Sequence, residues 1–295
     1  MKHPSTLTQI NHYLKRYEKS FGWIVKGSIA VACLWLIFDK VEFKDLDFTG
    51  LEMSVFHWRL ILLSIALMPL NWWLEAQRWC VAMNTPEVDI KVAMSQVLAG
   101  LSLNWLLPFT MGDAAARLSG EMSLKKKTKA LLASRAVMLC ITIIFGAISL
   151  LYFWQLSRFW LLLIIPILAP LLILFKRQFT QLWTTVWLKV IAISVLRYAV
   201  FTIQFILVFL ALLPALTLLT VILGVGWIFF FRTVTPSILG NLGVREASAL
   251  VFFEQTIADN GQVLLACLAI WFINTIIPSI AGIPFVFKLK YKPAL

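Results

Sequence analysis

The sequence predicts an all-α polytopic membrane protein built as an inverted repeat. Each half would hold three spans and one re-entrant helical hairpin, so the whole would have about six full spans and two hairpins. Three observations carry this expectation. Hydrophobic residues make up 61% of the 295-residue chain, and the mean hydropathy is +0.88. That is more apolar surface than a soluble core can hide, and its long uninterrupted runs leave the bilayer as solvent. Lys and Arg collect in short stretches between those runs, as orientation in a membrane requires. Finally, the segment Pro108 to Arg117 (Pro, three residues, Gly, a short polar residue, three residues, Arg) returns as Pro236 to Arg245.

The net charge of +12 would suggest nucleic-acid binding in a soluble domain, but here the cations sit in membrane-flanking loops, so nucleic acid is set aside. Cys33, Cys80, Cys140 and Cys267 lie in or beside apolar runs without paired or ligand-like spacing, and read as packing residues. The three histidines are too scattered for a metal constellation, and neither a metal nor a cofactor is expected. Nineteen mostly polar residues precede the first apolar run and no small-residue cleavage pattern follows that run, which argues against a signal peptide.

In chain order, residues 1–19 form a basic tail, with Lys2, Lys15, Arg16 and Lys19 against Glu18, expected on the cytoplasmic side. The first half covers 20–154. Its first span runs over about 21–38, and an acidic loop at 39–55 suits the outer side. The second span, about 56–76, leads into Asn71, Glu75 and Arg78. These share one helical face by their i, i+4, i+7 spacing. That face reads either as a functional polar stripe or as an interfacial belt marked by Trp72, Trp73 and Trp79.

A re-entrant hairpin is expected over 92–121, because Arg78 on one flank and Lys125, Lys126, Lys127 and Lys129 on the other should both be cytoplasmic. The third span follows at about 130–154, with Arg135 near its start reading as interfacial. The second half covers 155–287: spans at about 159–175 and 190–212, a hairpin over 216–258 entering from the opposite face, and a last span at about 263–287. Residues 288–295 form a second basic tail, placing both termini in the cytoplasm.

At each hairpin tip Pro108 and Gly112, or Pro236, Gly240 and Gly243, would break the incoming helix. Asp113 and Asn241 would then accept from the first free N–H groups of the returning one. Arg117 and Arg245, a turn further on, would join the two helix dipoles in an anion-favouring centre near the midplane. Asp113 and Glu246 could pair with these arginines when that centre is empty. The bland alternative is that each Arg pairs with a carboxylate and locks two halves together. Arg197 and Arg232 read equally well as functional or as snorkelling to an interface.

Three of these stretches resemble a known family. Glu75-Ala76-Gln77-Arg78-Trp79, Pro108 to Arg117, and Pro236 to Glu246 resemble segments of the flippase-like membrane family that includes the transmembrane domain of lysylphosphatidylglycerol synthetase, the multiple peptide resistance factor. The resemblance spans about residues 20–287. It departs in the Gly112-to-Arg117 spacing, one residue longer than the family form, and in having no soluble synthetase domain after the last span.

The resemblance implies a bacterial inner-membrane protein that moves an anionic or polyprenyl-phosphate lipid between leaflets. Arg117, Arg245, Asp113, Asn241, Glu246, Glu75 and Arg78 would serve the head group. The alternatives are a membrane-embedded enzyme of a lipid-linked substrate and a non-transporting partner of a soluble lipid-modifying synthase. Expected partners are membrane lipids, with a second copy of the chain or a lipid-modifying enzyme as further candidates. No catalytic residues are expected, since no nucleotide loop or nucleophile–base pair is visible in the sequence.

Overall fold

The computed structural model describes residues 27–41, 55–106, 111–120, 122–154, 185–235, 243–256 and 259–289. Among these the chain is all-helical, with no strand. Residues 27–40 form α1. There follow α2 (Val55–Ala66), α3 (Met68–Met83), α4 (Ile90–Leu106), α5 (Met111–Leu118) and α6 (Leu124–Phe153). From residue 185 onward come α7 (Thr185–Leu212), α8 (Leu218–Val234), α9 (Val244–Phe253), α10 (Asn260–Trp271), a π-helical turn (Phe272–Ile276) and α11 (Ile277–Val286). The expected span at 159–175, the acidic loop beyond residue 41, and Pro108, Pro236, Gly240 and Asn241 lie outside the described residues.

Among the described residues, four helical units are long and apolar enough to cross a membrane: Val55–Met83, Leu124–Phe153, Thr185–Leu212 and Asn260–Val286. By this measure the chain is a membrane protein. Two of them extend beyond their sequence-based limits. Helix α3 runs to Met83 rather than stopping near residue 76, so the Asn71, Glu75, Arg78 face lies inside a helix instead of in an interfacial belt. The break between α2 and α3 falls at Leu67, with Pro69, which lacks an N–H and cannot tolerate the carbonyl four residues back, in the first turn of α3. Helix α6 begins at Leu124, so its first turns contain the lysine tetrad.

The last long unit is interrupted, and the cause is readable. Pro278 can neither donate to the Asn274 carbonyl nor sit against it, so the chain widens into π geometry over Phe272–Ile276 and the Ile277 N–H reaches back to the Phe272 carbonyl.

Helix packing relies on close approach and on polar clips. The most extensive contacts join α4 to α11, α4 to α5, α6 to α8 and α3 to α7. Gly282 of α11 lies against α4, where an added Cβ would collide with the Leu98 carbonyl and the Ser102 hydroxyl. Across the same seam Ser102 Oγ donates to the Ser279 carbonyl at 2.5 Å, and Ser279 Oγ lies 3.1 Å from the Leu101 carbonyl. Helices α2 and α7 are clipped reciprocally: Gln204 Nε2 donates to the Ser64 carbonyl at 2.9 Å, and Ser64 Oγ donates to the Gln204 carbonyl at 3.3 Å. In lipid, where apolar burial gives no preference between helices and tails, small residues and such bonds carry association.

Gly112 needs correcting in this light. It does not break a helix, because α5 already begins at Met111. It is buried where a Cβ would strike the Leu103 and Asn104 backbone, so its role is to let α5 lie directly on α4.

Gly282→Ala is expected to lower unfolding stability in detergent by about 1–3 kcal/mol through overpacking of the α4–α11 seam. Gly27→Ala, where nothing lies within 4 Å of the added atom, should change stability by no more than about 0.5 kcal/mol. Equal melting shifts for the two variants would contradict the seam.

Candidate functional site

Glu75 is 5% exposed and sits on α3 one turn after Asn71. Its Oε1 accepts from Arg78 Nη2 at 2.7 Å and also from Arg117 Nη2, carried across from α5. Arg197 of α7 brings Nε to 3.0 Å from the other carboxylate oxygen, but aims its N–H at Asn71 Oδ1, also 3.0 Å away. One carboxylate thus holds three guanidiniums from three helices. Two of these arginines are almost fully buried, Arg78 at 5% and Arg117 at 3% exposure.

Asp113 extends the network. Its Oδ1 accepts from Arg117 Nε at 2.7 Å, and its Oδ2 lies 3.1 Å from Arg135 Nη2 on α6. Asp113 is therefore not the tip cap that the sequence suggests. It stands in the first turn of α5, where its backbone N–H donates to Asn104 Oδ1 at 2.9 Å. The capping oxygen comes from α4, and the carboxylate is left for arginine. Arg135 is likewise corrected, from an interfacial residue to a partner of Asp113.

At the other end of α5, Lys127 Nζ donates to the carbonyls of Leu118, Ser119 and Gly120 at 3.2, 2.5 and 3.0 Å. The last carbonyls of a helix have no intrahelical donor, and a cation there also suits the dipole. One of the four lysines that suggest membrane orientation is thus a buried structural cap.

The network faces a cavity of about 560 Å³. The N-terminal helices α3, α4, α5 and α6 form part of its wall; α7, α8 and the π-helical turn supply the rest. Its charged lining is Glu75 and Asp113 against Arg78, Arg117, Arg135, Arg197 and Arg232. Arg197 lies near the middle of the 28-residue α7, about 18 Å along the axis from one end and about 22 Å from the other, too deep to snorkel. Arg232 occupies the last turn of α8, a favourable end for a cation, and forms no hydrogen bond or ion pair with any described residue.

Several buried polar atoms on this lining lack hydrogen-bond partners among the described residues: the donors Arg78 Nε and Nη1, Arg117 Nη1 and Trp72 Nε1, both amide atoms of Asn274, and Glu75 Oε2, which has Arg197 only as an ion-pair neighbour. A buried donor left without an acceptor costs about 1–3 kcal/mol, more when charged, so their clustering at one cavity marks a place where an acceptor-rich ligand would be stabilised.

Of the residues singled out from sequence, Glu75, Arg78, Asp113 and Arg117 come together here. Arg245 and Glu246 do not line this cavity. They form a buried ion pair of their own at the start of α9, where Glu246 Oε2 also accepts from the Gly243 N–H at 2.7 Å. The repeated motif therefore does not place its two arginines alike: Arg117 is in the last turn of α5 and Arg245 in the first turn of α9. Gly243, at φ +90°, supplies the left-handed turn into α9.

Sequence reasoning misses Asn274 and Asn104. A signal for Asn274 exists, since an amide four residues before a proline in an apolar run is where a helix opens. Trp79, a belt residue by its sequence position, is instead buried, its Nε1 donating to Gln96 Oε1 at 2.8 Å while its ring lies 5.2 Å from the Arg117 guanidinium carbon.

No protein-family model, curated protein sequence or solved structure matches this chain. Fold and site alone therefore define its class: a helical membrane protein with an arginine-lined cavity.

Glu75→Gln is expected to cost about 3–5 kcal/mol of stability, because it leaves Arg78, Arg117 and Arg197 without their shared counter-ion. Glu254→Gln, which removes a half-exposed carboxylate 2.5 Å from Lys40, should cost no more than about 1 kcal/mol. Thermal unfolding of the two variants in the same detergent would show the difference.

Proposed function

We propose that the protein is a lipid translocase. It binds the anionic head group of a membrane lipid in the arginine-lined cavity while the lipid's tail stays in the bilayer, and passes it between leaflets. The observation that carries this reading is the cavity itself: a buried guanidinium cluster with unpartnered donors, including Arg197 from the middle of α7, walled by helices from both parts of the chain. Ionisable groups at such depth are costly, and are usually kept for substrate or ion pathways.

The packing supports a two-half arrangement. The first hairpin helix, α4, packs on the last span of the second part, and α8 packs on α6, the last span of the first. The exchange is reciprocal, as an inverted repeat with one hairpin per half requires. Rocking of one half against the other would then open the shared cavity to alternate sides. The flippase-like family that the sequence resembles points the same way, and the proposal includes a bacterial inner-membrane location with both termini cytoplasmic.

The test is transbilayer movement of fluorescent anionic phospholipids in proteoliposomes. Arg78→Gln and Arg197→Gln each leave Glu75 with two arginines, so the fold should survive. Each should slow movement at least about tenfold, the equivalent of one lost charge-assisted bond in the loaded state. Unchanged rates in both variants, with the wild-type protein active, would remove the cavity from the transport path.

A further inference from the structure

We infer that the cavity selects a multiply charged phosphate head group, a phosphomonoester or diphosphate on a lipid tail, over a phosphodiester or a zwitterion, and that Arg232 reads the additional charge. This rests on the reading of the cavity as a lipid head-group site.

Charge balance leads to this class. Five arginines line the cavity against two carboxylates, and both carboxylates are already shared, Glu75 among three arginines and Asp113 between two. Arg232 gains nothing from either, and lies in the field of Arg197 and Arg245 with Glu246 as the opposing charge. Glu246 is itself committed to Arg245 and the Gly243 N–H. Among the described residues the excess is therefore three; outside them 107–110, 155–184 and 236–242 contain no Asp or Glu, whereas 1–26, 42–54 and position 121 hold Glu18, Glu42, Asp45, Asp47, Glu52 and Glu121.

A single positive excess would suit a phosphodiester, which carries one negative charge. An excess of three suits a monoester, at about −1.5 to −2 near neutral pH, or a diphosphate, which carries more. An aminoacylated head group would bring charge of the wrong sign.

Hydrogen-bonding capacity points in the same direction. The unpartnered atoms on the lining are mostly donors, on Arg78, Arg117, Trp72 and the Asn274 amide nitrogen. A terminal phosphate offers three acceptor oxygens and no obligatory donor, whereas a phosphodiester gives two of its oxygens to ester bonds. The Asn274 carbonyl and Glu75 Oε2 are the exceptions; the carboxylate oxygen lies 3.0 Å from Arg197 Nε, and the carbonyl could take one hydroxyl from the ligand.

The experiment is equilibrium binding to the purified full chain in nanodiscs, with farnesyl diphosphate, farnesyl monophosphate, short-chain phosphatidylglycerol and inorganic pyrophosphate. Farnesyl diphosphate should bind at least about tenfold more tightly than phosphatidylglycerol, with the monophosphate between them. Arg232→Gln should reduce that ratio to within about threefold by weakening farnesyl diphosphate binding far more than phosphatidylglycerol binding, with the ligand-free melting temperature unchanged.

Equal binding of phosphatidylglycerol and farnesyl diphosphate would overturn the selectivity while leaving a lipid translocase intact. Equal binding of inorganic pyrophosphate would overturn the lipid-linked part, making the ligand a free anion. Absence of binding by every lipid would defeat both this inference and the translocase reading. An unchanged ratio in Arg232→Gln, or a lowered melting temperature without ligand, would take the reading of charge away from Arg232.

Discussion

Glu75 is a carboxylate inside a membrane protein, and its burial makes sense only because Arg78, Arg117 and Arg197 converge on it. Desolvating any one of these charges alone would be prohibitive, so the four must arrive together. That requirement links elements distant in sequence: α3 must continue past its apolar stretch, α5 must return beside it, and α7 must present its middle rather than its end. Helix α5 is short, eight residues, and could not hold this position by itself. It is held by ion pairs to α3 and α6, by Asn104 at one end and by Lys127 at the other.

The surrounding scaffold is arranged so that this cluster can exist at depth. Helices meet where glycine or serine permits close backbone approach, at Gly112 on α4, Gly282 on α4 and Gly226 against Ser149. In the α4–α11 seam Ser102 and Ser279 donate to carbonyls of the facing helix, and at the α4–α5 contact Asn104 Oδ1 accepts from the Asp113 N–H, which satisfies these groups without water. The π-helical turn is the exception that serves the site. Pro278 forces it, and it sets Asn274 on the cavity wall with neither amide atom partnered.

Two acid–arginine arrangements contrast within one chain. Arg245 and Glu246 neutralise each other, and the same carboxylate caps α9, so that pair is complete as it stands. The Glu75 cluster is over-supplied with arginine and leaves donors idle. A closed pair suits a structural lock, whereas an open, positively charged cluster suits a ligand that enters and leaves. Arg232 lines the cavity of the first arrangement and also lies in the field of Arg245 and Glu246 of the second.

Much of the membrane character is legible in the sequence, because hydropathy and helix length depend on composition over about twenty residues and need no knowledge of partners. The 3.6-residue period likewise places Asn71, Glu75 and Arg78 on one face, since that face follows from spacing within a single helix. The recurrence of Pro, Gly and Arg marks Arg117 and Arg245 alike, yet Arg117 lines the cavity and Arg245 does not. A motif records spacing along the chain, whereas position in a site depends on where each helix begins. Helix α5 starts before its glycine and α9 after its last one, and that offset of several residues moves the two arginines to opposite ends of their helices. Only the tertiary structure decides that Arg197, Arg232, Arg135 and Asn274 share a cavity with Glu75. Their convergence depends on crossings between helices far apart in the chain, and buried charge is stabilised by neighbours in space.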